Sequence, residues 1–167
     1  SMASIPWAAG ENLQSLLLIL GNTGAECSIA SGELTIGAVG QAELEAAAAA
    51  YEADEETHVL APMRDRKKLH LYNLSLAFSL GRYAQGRRDA LHMLLTECLL
   101  DNLTNRAAYI RTLLDWLKLI VAHQIQAEAE VAAATTRETI KNVAIDFDAL
   151  RASDPGVTVE GALAIPN

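Results

Sequence analysis

The stretch from Leu103 to Ala134 constrains the fold most, because its helical pattern runs without interruption for about 32 residues. Residues at alternating spacings of four and three form the seam that one helix offers another: Leu103, Ala107, Ile110, Leu114, Leu117, Val121 and Gln124. A second seam lies beside it: Tyr109, Leu113, Trp116, Ile120, His123 and Ala127. The apolar arc is about twice as wide as a surface helix needs. We therefore expect other helices or strands, of this chain or of a partner, to pack against this helix on two sides.

The length of this helix predicts that part of it lies beyond a single compact core. About 32 residues at about 1.5 Å each span roughly 48 Å, whereas a compact domain of this size has a radius of gyration of only about 15 Å. The part of the helix through Ile125 carries both seams and is expected to be buried. The alanine- and glutamate-rich part from Gln126 is expected to project or to form a close-packed interface. We predict a homo-oligomer whose interface residues are Tyr109, Leu113, Trp116, Ile120, His123, Val157 and Val159.

Composition favours helix in the rest of the chain as well. Alanine makes up about a sixth of the 167 residues and aromatic residues only 5%, a bias typical of helical proteins. A chain of this length is expected to form one domain with a real core. We predict a mainly α fold, a single bundle of about five to six helices around the long central helix. The bundle is expected to occupy residues 2–153, and residues 154–167 form a C-terminal tail that acts as a strand or docking segment.

A small β-hairpin is predicted near the N-terminus, at about residues 26–37. Apolar residues alternate with polar ones on both sides of the two-residue turn Ser31-Gly32: Cys27 and Ile29 before it, Leu34 and Ile36 after it. Two strands alone are marginally stable in water, so the hairpin must pack on helices or recruit a strand. The other strand candidate is Val157–Glu160, which can pair within the chain or complete a sheet in a neighbour.

Helices are predicted for most of the remaining chain. Ile5-Pro6 is taken as a helix start, because proline is tolerated in the first turn, and this helix is expected to run to Leu20. Further helices are expected at Gln41–Thr57, Met63–Tyr83 and Arg87–Leu100, and a shorter one at Thr135–Leu150.

The net charge of −8 argues against nucleic acid and membranes as partners, but the charge is unevenly distributed. Residues 1–63 contain nine acids and no lysine or arginine, whereas residues 64–88 contain one acid and the seven basic residues Arg64, Arg66, Lys67, Lys68, Arg82, Arg87 and Arg88. One interpretation is a patch that binds nucleic acid or an acidic partner. The other is ion pairing across an antiparallel turn at Pro62 with the preceding acids: Glu52, Asp54, Glu55 and Glu56.

Two carboxylate and imidazole pairs have metal-ligand spacing. Glu55 with His58, and Asp89 with His92, stand three residues apart, which places both groups on one helix face. Di-iron bundles use two Glu-x-x-His motifs and two further glutamates, and this chain has one such motif. The four residues are therefore candidates for a metal site, and we predict no cofactor.

The sequence contains no catalytic motif. It has no GxSxG and no phosphate-binding glycine loop, and Cys27 and Cys98 lack CxxC spacing, which is typical of free thiols in a reducing compartment. No basic residue precedes Arg64, so no signal peptide is expected and the protein is predicted to be intracellular and soluble, with a virion component as an alternative.

These observations favour a non-catalytic module for protein–protein interaction or assembly, from a bacterial or phage source with an alanine-rich composition. Helix faces and strand edges are expected to be its contact surfaces. Two alternatives stay open: a helical-bundle protein that binds a metal or small ligand in a cavity, and an adaptor that binds nucleic acid or an acidic partner through residues 64–88.

Overall fold

The computed structural model describes residues 2–166 and confirms a mainly α-helical chain with a small antiparallel sheet. In chain order its elements are β1 (Met2–Pro6), α1 (Leu13–Leu20), β2 (Cys27–Ala30), β3 (Glu33–Gly37), α2 (Gln41–Ala53), a π-helical turn (Glu56–Leu60), α3 (Ala61–Arg82), α4 (Gln85–Leu100), α5 (Thr104–Ala133), α6 (Arg137–Asn142), α7 (Phe147–Ala152) and α8 (Val159–Leu163). Within the described residues, no helix has the length and apolarity needed to cross a membrane.

The chain forms two compact units. The first, which we call the sheet unit, contains the residues up to Arg66 together with Thr135–Arg137. The second, the helical unit, contains Lys67–Ala134 and the residues from Glu138 onward. Residues 154–166, expected as a tail, belong to the helical unit.

The predicted hairpin is confirmed as β2 and β3, joined by Ser31 and Gly32. Both turn residues have positive φ angles, 54° and 73°, as the tight turn of a twisted hairpin requires. The sheet has a third strand, in the order β1-β3-β2, because β1 pairs antiparallel with β3. The central strand β3 therefore carries the buried face of the sheet, where Leu34 and Ile36 are fully buried.

Two predictions of secondary structure are corrected. The helix start expected at Ile5-Pro6 is wrong, since residues 2–6 form β1 and bury Ala3 and Ile5 at the two-residue period of a strand. The helix itself begins at Leu13 and ends, as predicted, at Leu20. The strand expected at Val157–Glu160 is also wrong. Thr158 caps α8 there, because its side-chain oxygen accepts the Gly161 N–H at 2.8 Å.

The antiparallel turn expected at Pro62 does not form. Helix α2 ends at Ala53, and the chain then passes through the π-helical turn directly into α3, with Pro62 as the second residue of that helix. The predicted alignment of the acidic and basic clusters is therefore wrong. One of these acids, Glu56, forms an ion pair with Arg64.

The long helix is confirmed as α5, but its buried surface differs from both predicted seams. One stripe that draws on both seams is buried: Ala107, Ile110, Leu113, Trp116, Ile120, Ala127 and Val131. Val121 and Ile125 are exposed, whereas Val131 is fully buried, so the expectation that the end of the helix projects is wrong. The physical reason is that the following segment turns back, and its Val143 and Ile145 line clefts shared with the last turns of α5.

Candidate interaction surfaces

Most residues predicted as an interface are buried inside the helical unit. Leu113, Trp116, Ile120 and Val157 are at most 3% exposed, and Tyr109, His123 and Val159 are partly buried. The Trp116 indole donates to the Leu150 carbonyl at 2.9 Å, and the Tyr109 hydroxyl accepts the Thr158 N–H at 3.2 Å. These contacts hold α5 against the C-terminal segment of the same chain, so the buried members offer no surface to a second chain.

The C-terminal segment, residues 154–166, is held within the helical unit by a polar cluster around Asp154. Its carboxylate accepts hydrogen bonds from Arg82 Nε and from the Tyr83 hydroxyl, each at 2.5 Å. The same hydroxyl accepts the Val157 N–H at 3.0 Å, and Arg87 donates to the Val157 carbonyl. Burial raises the pKa of Tyr83 to about 12, with the hydrogen bond to Asp154 acting in the same direction. This tail is therefore an integral part of the fold.

The seven basic residues do not form one patch. Arg82 and Arg87 bind the C-terminal segment, as described above. Arg88 Nε donates to the Tyr83 carbonyl at 2.8 Å, and Lys67 Nζ donates to the Lys141 carbonyl at 2.8 Å. Lys67 and Arg82 also lie 15 residues apart on α3, about 22 Å along the helix axis. The remaining members are Arg64, which pairs with Glu56, and Arg66 and Lys68. Most of these charges hold the fold together.

The metal-site candidates have other contacts. Glu55 pairs with Arg137 at 2.8 Å, while the His58 ring stacks on Tyr51 with centroids 5.9 Å apart. Asp89 accepts a hydrogen bond from Gln85 at 2.9 Å, and His92 is exposed. Across residues 2–166, no three His, Cys, Asp or Glu side chains converge in a way that could hold a metal ion.

The sheet unit contains an open cleft of about 650 Å³ beside Trp7 and Tyr51. Arg137 reaches into it and pairs with both Glu11 and Glu55, and the Tyr51 hydroxyl donates to Glu11 at 2.7 Å. The Arg137 hydrogen bond lowers the pKa of Glu11 despite its partial burial, and burial with the Glu11 contact raises the pKa of Tyr51 to about 12. The cleft is thus polar, and the Glu11 carboxylate in it is already paired with the Arg137 guanidinium.

The helical unit has an apolar groove between α3 and α5, which we call the α3–α5 groove. Its volume is about 230 Å³, and its lining includes Tyr72, Ser75, Leu76 and Ser79 of α3, Leu117, Val121 and Gln124 of α5, and Arg88 of α4. Tyr72, Leu76 and Val121 are exposed. Leu69 precedes Tyr72 by three residues and Ile125 follows Val121 by four, so these two exposed residues extend the same helix faces. The result is an apolar ridge on each side of a groove.

Two buried polar groups lining this groove lack a hydrogen-bond partner among the described residues: Ser75 Oγ and Arg88 Nη2. Ser75 is only 2% exposed. A buried donor without a partner costs about 1–3 kcal/mol. Burial also lowers the pKa of Arg88. The rim of the groove is therefore apolar, and two polar groups beneath it lack a hydrogen-bond partner among the described residues.

The sequence showed two apolar rows on α5, but most of the α5 residues assigned to the interface are buried or partly buried inside the helical unit. Both rows were visible in the sequence, yet helical periodicity does not show which row the chain itself covers. The surplus of apolar residues on α3 was the pattern that could have located the groove.

Comparison with protein-family models, with curated proteins and with solved structures found no significant match to this chain.

Proposed function

We propose that this protein is a non-catalytic assembly module, a structural component or adaptor that forms a homo-oligomer through the α3–α5 groove. The observation that carries the proposal is the pair of exposed apolar ridges, with Tyr72 and Leu76 on one side of the groove and Val121 and Ile125 on the other. Exposed apolar surface of this kind marks interaction sites, because covering it removes it from water.

The distribution of exposed apolar residues favours the helical unit as the site of assembly. Of the large hydrophobic residues exposed in residues 2–166, three lie in the sheet unit, Met2, Leu18 and Ile29. Eleven lie in the helical unit: Leu69, Tyr72, Leu74, Leu76, Met93, Leu99, Leu100, Leu119, Val121, Ile125 and Leu163.

Charge favours a second copy of this chain as the occupant of the groove. The helical unit carries eleven acids and ten basic residues, a net charge of −1, so two copies meet without strong repulsion. A ridge and a groove on one surface are self-complementary, since under two-fold symmetry each copy places its ridge in the groove of the other.

Sedimentation equilibrium of two groove variants, Tyr72→Lys and Val121→Lys, tests this proposal. Both side chains are exposed, so folding is expected to be retained, while two-fold symmetry brings like charges together in the interface. We expect the dissociation constant to rise at least about tenfold, which corresponds to about 1.4 kcal/mol. Met93→Lys is the matched control, since Met93 is exposed on α4 and does not line the groove. Equal self-association of all three variants contradicts the proposal.

A further inference from the structure

Strand β2 is an outer strand of the sheet, and its backbone groups divide into two sets. The hairpin turn has two residues, so Ala30 and Glu33 form a hydrogen-bonded pair, and hydrogen-bonded and open pairs then alternate along the strands. The Gly37 N–H, which donates to the Glu26 carbonyl at 2.9 Å, fits this alternation. Cys27 and Ile29 are therefore the residues whose N–H and C=O groups point away from β3.

The opposite edge of the sheet is closed by a side chain. On β1, the same alternation points the N–H and C=O groups of Ser4, in the middle of the strand, away from β3. Gln41 Oε1 accepts the Ser4 N–H at 3.0 Å, and Gln41 Nε2 donates to the Ser4 carbonyl at 2.7 Å. The amide of Gln41 thus imitates one peptide unit of a neighbouring strand, a way of protecting an exposed sheet edge. Within residues 2–166, no strand or side chain does the same for Cys27 and Ile29.

The side chains of β2 that lie on the same side of the sheet as the buried core are also uncovered. Ile29 stands opposite Leu34, and Cys27 stands opposite Ile36, so each pair shares one face of the sheet. Leu34 and Ile36 are 0% exposed, but Ile29 is 52% exposed and Cys27 is exposed as well. An open backbone edge and an apolar side chain on the same strand are the two features used when a protein binds an extended peptide as an added strand.

The net negative charge of the sheet unit favours a basic partner at this edge. The unit carries ten acids and three basic residues, a net charge of −7. Glu26 precedes β2, and Glu33 of β3 stands opposite Ala30. A second copy would bring like charges together at this edge, whereas a basic chain is attracted to it. We propose that β2 binds an extended basic segment of another protein chain as a fourth strand, with an apolar residue of that segment packed on Ile29. This site is separate from the α3–α5 groove and does not depend on self-association.

The test uses a dye-labelled ten-residue peptide of alternating lysine and valine as the probe, with its glutamate–valine counterpart as the control ligand. Fluorescence anisotropy with the full chain is expected to show binding of the basic peptide, weakened by salt, and at least about tenfold weaker binding of the acidic one. Amide hydrogen exchange is expected to slow at Cys27 and Ile29 when the basic peptide is bound. Failure of the basic peptide to bind at millimolar concentration overturns the proposal.

Two variants distinguish binding at the β2 edge from non-specific electrostatic attraction to the sheet unit. Ile29→Lys places a cation on the edge, and Leu18→Lys makes the same charge change at an exposed position of α1 in the same unit. We expect at least about tenfold weaker binding of the basic peptide to Ile29→Lys than to Leu18→Lys. Equal binding to both variants, or unchanged exchange at the two β2 amides in the wild-type protein, shows that the peptide binds elsewhere and contradicts the proposal.

Discussion

Gln41 closes the β1 edge of the sheet at Ser4 through two hydrogen bonds, one accepted at 3.0 Å and one donated at 2.7 Å. Gln41 is the first residue of α2, so the same side chain ties the start of that helix to the sheet. The outward groups of Ser4 are therefore occupied, whereas those of Cys27 and Ile29 on the β2 edge have no partner among residues 2–166.

Replacing Gln41 with alanine is expected to open the second edge. Both hydrogen bonds to Ser4 are exposed, so we expect a loss of about 0.5–1.5 kcal/mol in the free energy of unfolding, measured by urea denaturation. Gln41→Glu can still accept the Ser4 N–H, but its second carboxylate oxygen faces the Ser4 carbonyl and Glu45 and cannot donate to them, so a loss is expected here as well. If Gln41→Ala and Gln41→Glu are as stable as the wild type, the side chain does not close the edge.

The Tyr83 hydroxyl is expected to contribute to stability. It donates to Asp154 and accepts from the Val157 N–H, so Tyr83→Phe leaves buried groups without a partner. We expect a loss of about 1–3 kcal/mol in the free energy of unfolding by urea denaturation. Tyr72→Phe removes the same atom from an exposed tyrosine and should change stability by less than about 0.5 kcal/mol. Equal effects of the two changes would show that the cluster around Asp154 does not anchor the tail.

The buried tyrosines are expected to ionise late in an alkaline titration. The pKa values of Tyr51 and Tyr83 are both raised to about 12, mainly by burial and then by the carboxylate that each hydroxyl contacts. A raised folded-state pKa gives stability that is present below the ordinary value of 10.0 and is lost as the pH rises through about 12. Phenolate absorbance should therefore show two tyrosines titrating near pH 12, and Tyr83→Phe should remove one of them. Complete ionisation near pH 10 in the folded protein would contradict this expectation.

Glu11 is expected to make the sheet unit sensitive to acid. Its pKa lies below 4.5, chiefly because Arg137 donates a hydrogen bond to it. The unfolded chain then takes up a proton before the folded chain does, so stability is present above the ordinary pKa and is lost as the pH falls below about 4.5. Unfolding free energies measured across this range should fall less steeply for Glu11→Gln than for the wild type. Identical pH dependence of the two proteins would contradict the assigned role of Arg137.

Local patterns predicted the elements whose structure depends on nearby residues. The helix from Leu103 to Ala134 appears as α5 within one residue at each end, because its periodicity is long and free of breaks. The hairpin around Ser31-Gly32 follows from its turn residues. Both are decided by residues close together in the chain.

The errors concern contacts between distant residues. Ile5-Pro6 resembles a helix start, but β1 forms because β3 offers it a partner about thirty residues away. Val157 follows a turn and looks like the start of a strand, but Tyr83 and Arg87 fix its backbone, and Thr158 then starts α8. The same long-range docking uses the arginines that the sequence grouped as a basic patch.

The molar mass of the intact protein in solution tests the central claim most directly. Light scattering across a micromolar concentration series should give at least twice the 17.9 kDa of one chain, with the mass falling only on dilution. A constant mass of 17.9 kDa over the whole series would contradict assembly through the α3–α5 groove.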